Sequence, residues 1–197
     1  MKSTTLRISF IFMIFALIGA SCQDDEDLFE LQIGDENAII QKEVNGIEFK
    51  FCLLNEAGEF ATVFNEGENF TFQFSFTNHT TDTITVTSEF INDEFFRVIQ
   101  INDLNHTDKG KPYTGTWCYY RVETTNFTSK PDQEISIICP WEKIQSVKTY
   151  PLCISESREP LDIGRYYTKL NLDFHYTTGK KEFVIKNKQF QINFEIK

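Results

Sequence analysis

The chain has 197 residues with 19 Lys and Arg against 29 Asp and Glu, a formal net charge of −10, and is 41% hydrophobic and 15% aromatic. A surface this acidic repels phosphate backbones and anionic lipid headgroups alike, and the sequence shows no basic stripe, so nucleic acid is excluded as a partner and a membrane is expected to be reached through a lipid anchor only. Twenty Phe beside two Met call for a packed aromatic interior rather than disorder, and the length suits one domain with a full core.

The N-terminus carries Lys2 and Arg7, then an apolar run from Ile8 to Ala20, then Cys22 and the acid cluster Asp24, Asp25, Glu26 and Asp27. About 13 helical residues cover roughly 20 Å, short of the ~30 Å hydrocarbon core of a bilayer, so the run does not span. The order reads as a secretory signal peptide over residues 1–21 that ends at a cysteine to be lipidated. Leu17-Ile18-Gly19-Ala20-Ser21-Cys22 resembles the lipobox of bacterial lipoproteins in the looser form of Bacteroidota leaders, with Gly19 where leucine is usual. An ordinary signal peptide cut after Ala20 or Ser21 is the alternative. The acid cluster is similar to the surface-export signals of Bacteroidota lipoproteins, which implies an outer-membrane lipoprotein exposed on the cell surface. A solvated tether on a periplasm-facing protein is the other reading. Residues 22–37 are expected as an acidic tether and 38–197 as the folded domain. Without residues 1–21 the chain keeps 17 basic against 29 acidic residues, a net charge of about −12.

From there the chain reads as strands with a period of two. Ile47, Phe49, Phe51 and Leu53 alternate with Glu48, Lys50 and Cys52; Phe70, Phe72, Phe74 and Phe76 alternate with Thr71, Gln73, Ser75 and Thr77. Leu170, Leu172, Phe174 and Tyr176 repeat the pattern, as do Phe190, Ile192, Phe194 and Ile196. One wet face per strand points to antiparallel sheets. Turn signals separate the runs at Val44-Asn45-Gly46, Glu56-Ala57-Gly58, Asn65-Glu66-Gly67, His79 to Asp82 and Thr178-Gly179-Lys180. About nine short strands at this spacing predict an antiparallel β-sandwich.

Four cysteines follow the leader: Cys52, Cys118, Cys139 and Cys153. In an oxidising compartment they predict two disulfides with three possible connectivities. A hairpin between Trp117–Glu123 and Ile135–Cys139 sets Cys118 opposite Cys139, Tyr120 opposite Ile137 and Val122 opposite Ile135, all on one apolar face. That register favours Cys118–Cys139, and elimination leaves Cys52–Cys153.

The stretches Gly67–Asn78 and Leu161-Asp162-Ile163-Gly164-Arg165-Tyr166-Tyr167 resemble secreted immunoglobulin-like domains of Bacteroidota and, more distantly, the intracellular proteinase inhibitor family of Bacillus. The resemblance implies an immunoglobulin-like Greek-key sandwich and specifies no activity. The segment from Asn102 to Tyr150 exceeds what a minimal sandwich needs and departs from the inhibitor pattern.

No constellation for catalysis is recognisable. A nucleophile needs a neighbouring base, and no G-x-S-x-G elbow or catalytic cysteine signature occurs. His79, His106 and His175 fall in a turn, a loop and a polar strand face. Walker-type and G-x-G-x-x-G loops are absent, and Cys/His spacing supports neither zinc nor a redox motif, so no cofactor or metal is expected. Trp117 and Tyr119 lie on the hairpin face opposite Cys118 and Tyr120, which makes them a candidate platform for stacking on sugar rings; core packing or cover by a loop is the alternative. The sequence therefore predicts a lipid-anchored, non-catalytic surface module that binds an extracellular protein or glycan. A proteinase-inhibitor-like protein and a secreted carboxylate-dependent hydrolase are the rivals.

Overall fold

The computed structural model describes residues 27–102, 105–117, 126–154 and 158–197. Its strands are β1 (Asp27–Leu31), β2 (Ile39–Val44), β3 (Ile47–Leu54), β4 (Val63–Phe64), β5 (Thr71–Asn78), β6 (Ile84–Thr87) and β7 (Arg97–Ile101). There follow β8 (His106–Gly110), β9 (Gly115–Thr116), β10 (Asn126–Ser129), β11 (Glu134–Pro140), β12 (Leu152–Cys153), β13 (Gly164–Thr178) and β14 (Lys181–Ile196). Among the described residues the helical structure is one 3-10 turn, Ser88–Phe90. No helix there is long and apolar enough to cross a membrane.

The larger sheet runs β1-β14-β13-β6-β10, with β4 beside β14 and β7 then β8 beside β13. The smaller sheet runs β11-β5-β3-β2, and β9 pairs separately with β12. The chain passes between the layers several times, after β5 and after β10 among others, giving an all-β, immunoglobulin-like sandwich: the alternating runs predict the sandwich and the resemblance its immunoglobulin-like form. Among the described residues fourteen strands replace the expected nine or so, because short pieces such as β4, β9 and β12 hold too few residues to show a period.

Aromatic rings fill the space between the sheets. Phe49 and Phe76 from the smaller sheet each meet Phe174 of the larger one edge to face, with ring centroids 5.0 Å apart. Phe72 stacks on Phe96 at 4.9 Å, and Phe64, Phe70 and Phe194 close one end. All of these side chains are buried. Each such ring contributes about 1.5–3 kcal/mol through burial, and edge-to-face pairs add roughly 0.5–1.5 kcal/mol.

The strand directions define two ends. At the first, the turns after β2, β5, β10 and β13 gather, as the pairs Ile47↔Asn78, Glu134↔Thr77 and Thr177↔Thr85 require. Asn45 and Gly46 both have positive φ, 53° and 76°, the two left-handed residues of a tight hairpin turn, where Asn and Gly are the residues that accept them. The second end carries the turn after β3, the turn before β5 and the segment after β11.

Three expectations change. Asp27–Leu31, read as part of the tether, is a strand pairing parallel to β14 from Asp27↔Lys188 to Leu31↔Ile192, with a Lys188–Asp27 ion pair at its start. Ile135–Cys139 pairs with Phe76–Phe72 of β5, not with the segment after Trp117. Cys52 and Cys139 are free, buried thiols, which rules out both Cys118–Cys139 and Cys52–Cys153. Cys139 sits opposite Phe72 inside the core, and Cys52 lies on the outer face of β3, its thiol 3.9 Å from the Gln73 carbonyl. Cys153 is disulfide-bonded, while Cys118 lies outside the described residues.

Candidate functional site

The outer face of the smaller sheet carries a groove of about 540 Å³ at the second end. Its floor is Leu54 of β3, Thr71 of β5 and Ile138 of β11, and its wall is Ile144 and Val147 from the segment after β11. Pro140 closes β11, having no N–H to continue a ladder. The next residue, Trp141, donates its backbone N–H to the Phe70 carbonyl and stacks on the Phe70 ring at 6.0 Å, while its indole N–H donates to the Glu159 carbonyl at 2.9 Å. This buried indole fixes where the wall segment leaves the sheet.

Asn69 then holds that segment against the groove. Its Nδ2 donates to the Glu142 carbonyl at 3.0 Å, its Oδ1 accepts from the Glu142 N–H at 2.9 Å, and its own N–H donates to Glu56 Oε1 at 3.2 Å. The opposite rim is preorganised by Asn55, which accepts from the Glu59 N–H at 2.9 Å through its side chain and from the Gly58 N–H at 2.9 Å through its carbonyl. Gly58 has φ +79°, a conformation that L side chains rarely adopt, so glycine serves the turn there.

One carboxylate, Glu56, lines the groove, and Glu142 adjoins it through Asn69. Burial pushes the Glu142 carboxyl above the usual carboxylate range, and the negative charges of Glu159 and Glu56 push it further the same way. None of the described ion pairs involves Glu56, Glu142 or Glu159. An aliphatic floor beside uncompensated carboxylates suits a ligand with an apolar body and a cationic group.

The residues singled out in the sequence lie elsewhere. Trp117 is half-buried, with φ 67°, and its ring lies 6.2 Å from both Phe127 and Tyr150 at the edge of the core. Tyr119 falls outside the described residues, as do Cys22, Asp24, Asp25 and Glu26. The three histidines are apart: His79 contacts Asp132 at 3.2 Å, His106 meets the Tyr167 ring edge-on, and His175 lies on β13. Sequence reading missed the groove, although a signal existed. Leu54 and Ile138 are apolar residues placed on the polar phase of their strands, next to Leu53 and between Ile137 and Cys139.

No protein-family model matches the chain, and no curated protein matches it. Solved structures do. The ASH/PapD-like domain of human CEP192 (PapD-like domain 7) aligns at 9% identity and a TM-score of 0.38, covering 80% of this chain and 90% of that one. A β-glucosidase from Listeria innocua, in complex with gluconolactone, aligns at 8% identity and a TM-score of 0.26, covering 76% of this chain and 17% of that one. The fold assignment rests on the two packed sheets themselves.

Proposed function

We propose that the chain is a lipid-anchored, non-catalytic binding module of the outer membrane, displayed on the cell surface, whose groove receives a protein segment bearing apolar side chains and a cation. The groove beside Glu56 and Glu142 carries this reading. Apart from Thr71 its floor and wall are aliphatic, with no aromatic ring for a sugar to stack on, which favours protein over glycan. The lipobox-like Leu17–Cys22 and the acid cluster after it support the address.

The test is an NMR titration of the soluble Cys22→Ala domain, residues 22–197, with phenethylammonium and with 3-phenylpropionate, which share a ring and differ in charge. Amide shifts centred on Leu54, Asn69, Ile138 and Val147 with the cation, several-fold weaker with the anion and lost in Val147→Asp, support the reading. Equal response to both probes, or shifts spread away from the groove, would overturn it.

A further inference from the structure

The β13–β14 hairpin turn is chemically unlike the rest of this acidic molecule. Lys180 and Lys181 are exposed on it, as is Lys186 further along β14, and they outnumber the one exposed acid among them, Glu182; Phe183 and Val184 beside them are 39% and 41% exposed. Phe183 stacks on Tyr176 at 5.1 Å, so its ring is held in place at the end of the core. On the other edge of β14, β1 covers Lys188–Ile192 and β4 covers Glu195–Ile196. Among the described residues, Lys181–Asn187 has no neighbour on that edge.

The direction of β1 decides what this end faces. It is parallel to β14 and begins opposite Lys188, so its N-terminal end points toward the hairpin turn. Cys22 is five residues upstream of Asp27, a reach of at most about 17 Å. From Lys188 to Lys181 the strand runs about 23 Å in the same direction. An acyl anchor on Cys22 thus cannot lie far below the hairpin turn.

We infer that the β13–β14 turn rests on the phosphate-bearing surface of the bilayer in which the Cys22 anchor inserts, an inference that takes the lipidation of Cys22 from the proposed function. Lys180 and Lys181 lie against headgroup phosphates, and Phe183 and Val184 enter the interfacial zone. The lysines supply the positive charge that the tether residues Asp24, Asp25 and Glu26 lack. In this pose the groove, at the opposite end of the smaller sheet, faces away from the membrane.

The experiment uses the lipidated full-length chain in vesicles of phosphatidylcholine and phosphatidylglycerol. A nitroxide is placed at Val184→Cys or, as a distant reference, at Glu66→Cys; the buried thiols of Cys52 and Cys139 do not compete. The expected result is flotation with the vesicles, and collision with a polar nickel relaxant at least threefold slower at position 184 than at position 66. Lys180→Glu/Lys181→Glu should still float while position 184 regains its accessibility. A protein that floats with both positions equally accessible overturns the docking alone. A protein that does not float overturns the anchor and the docking together.

Discussion

The Asn78 side chain donates from Nδ2 to the Ser129 carbonyl at 3.1 Å, and through that bond the end of β5 is tied to the end of β10 in the opposite sheet. The same Nδ2 donates to the Asp82 carbonyl at 2.8 Å, and Oδ1 accepts from the Thr80 N–H and hydroxyl at 3.0 and 2.6 Å. The backbone carbonyl of this fully buried residue accepts from the Asp132 N–H. Asn78 therefore closes two turns at once, where the chain passes between the layers.

Asn78→Ala leaves those carbonyls without a donor in a buried site and is expected to cost about 3 kcal/mol. For a domain of this size that lowers Tm by roughly 10 °C. Asn78→Asp keeps an acceptor for Thr80 but loses the Nδ2 donors, so it should destabilise comparably. Thermal unfolding followed by circular dichroism measures both, and a Tm within 2 °C of wild type for either variant would contradict this role.

The free thiols give a second prediction. Burial pushes Cys52 and Cys139 up to about 12 each, with the negative charge of Glu134 adding to the effect at Cys52. Since the thiolate is the reactive form, neither should be alkylated at pH 8 while the protein is folded. Mass spectrometry should find both peptides labelled after denaturation without reductant, and the Cys153 peptide labelled only after reduction. Native labelling of Cys139 would contradict its place in the core.

The outcome for these cysteines shows what the sequence could carry. The alternation of Phe72, Phe74 and Phe76 with Gln73 and Ser75 requires a strand with one core face, and that much was legible. Which strand lies beside Ile135, Ile137 and Cys139 was not. Their apolar face is satisfied by any neighbour of matching phase, so consistency of three pairs on one face could not distinguish the true partner, β5, from a hairpin with the segment after Trp117. Asp27–Leu31 escaped notice because its charge suggested a tether, whereas its strand state comes from pairing with residues some 160 positions later. The groove depends on the segment after Pro140 folding back over the outer sheet face, a contact that no local pattern encodes.

Glu142 gives a prediction with a definite sign. Its carboxyl is raised, so the folded state holds the proton more tightly than the unfolded chain, and ionisation at neutral pH weakens folding. Glu142→Gln should therefore raise Tm slightly at pH 7, and the gain should disappear as pH falls below the ordinary carboxylate range. Binding of a cation in the groove stabilises the ionised form, so affinity for phenethylammonium should rise with pH as Glu142 loses its proton. Affinity independent of pH across that range would separate Glu142 from the ligand.

Limited trypsin digestion of intact cells, read by mass spectrometry of the cut sites, tests most directly whether an anchored module presents its groove outward. Lys143 and Lys148, in the segment that carries Ile144 and Val147 but outside the groove lining, are exposed, as are Lys180 and Lys181 in the hairpin turn. On cells, cleavage is expected after Lys143 and Lys148 while Lys180 and Lys181 are spared, and the soluble Cys22→Ala protein should be cut at the turn several-fold faster than the cell-bound form. Membrane-bound protein left intact at Lys143 and Lys148, or cut at Lys180 and Lys181 as fast on cells as in solution, would contradict the account.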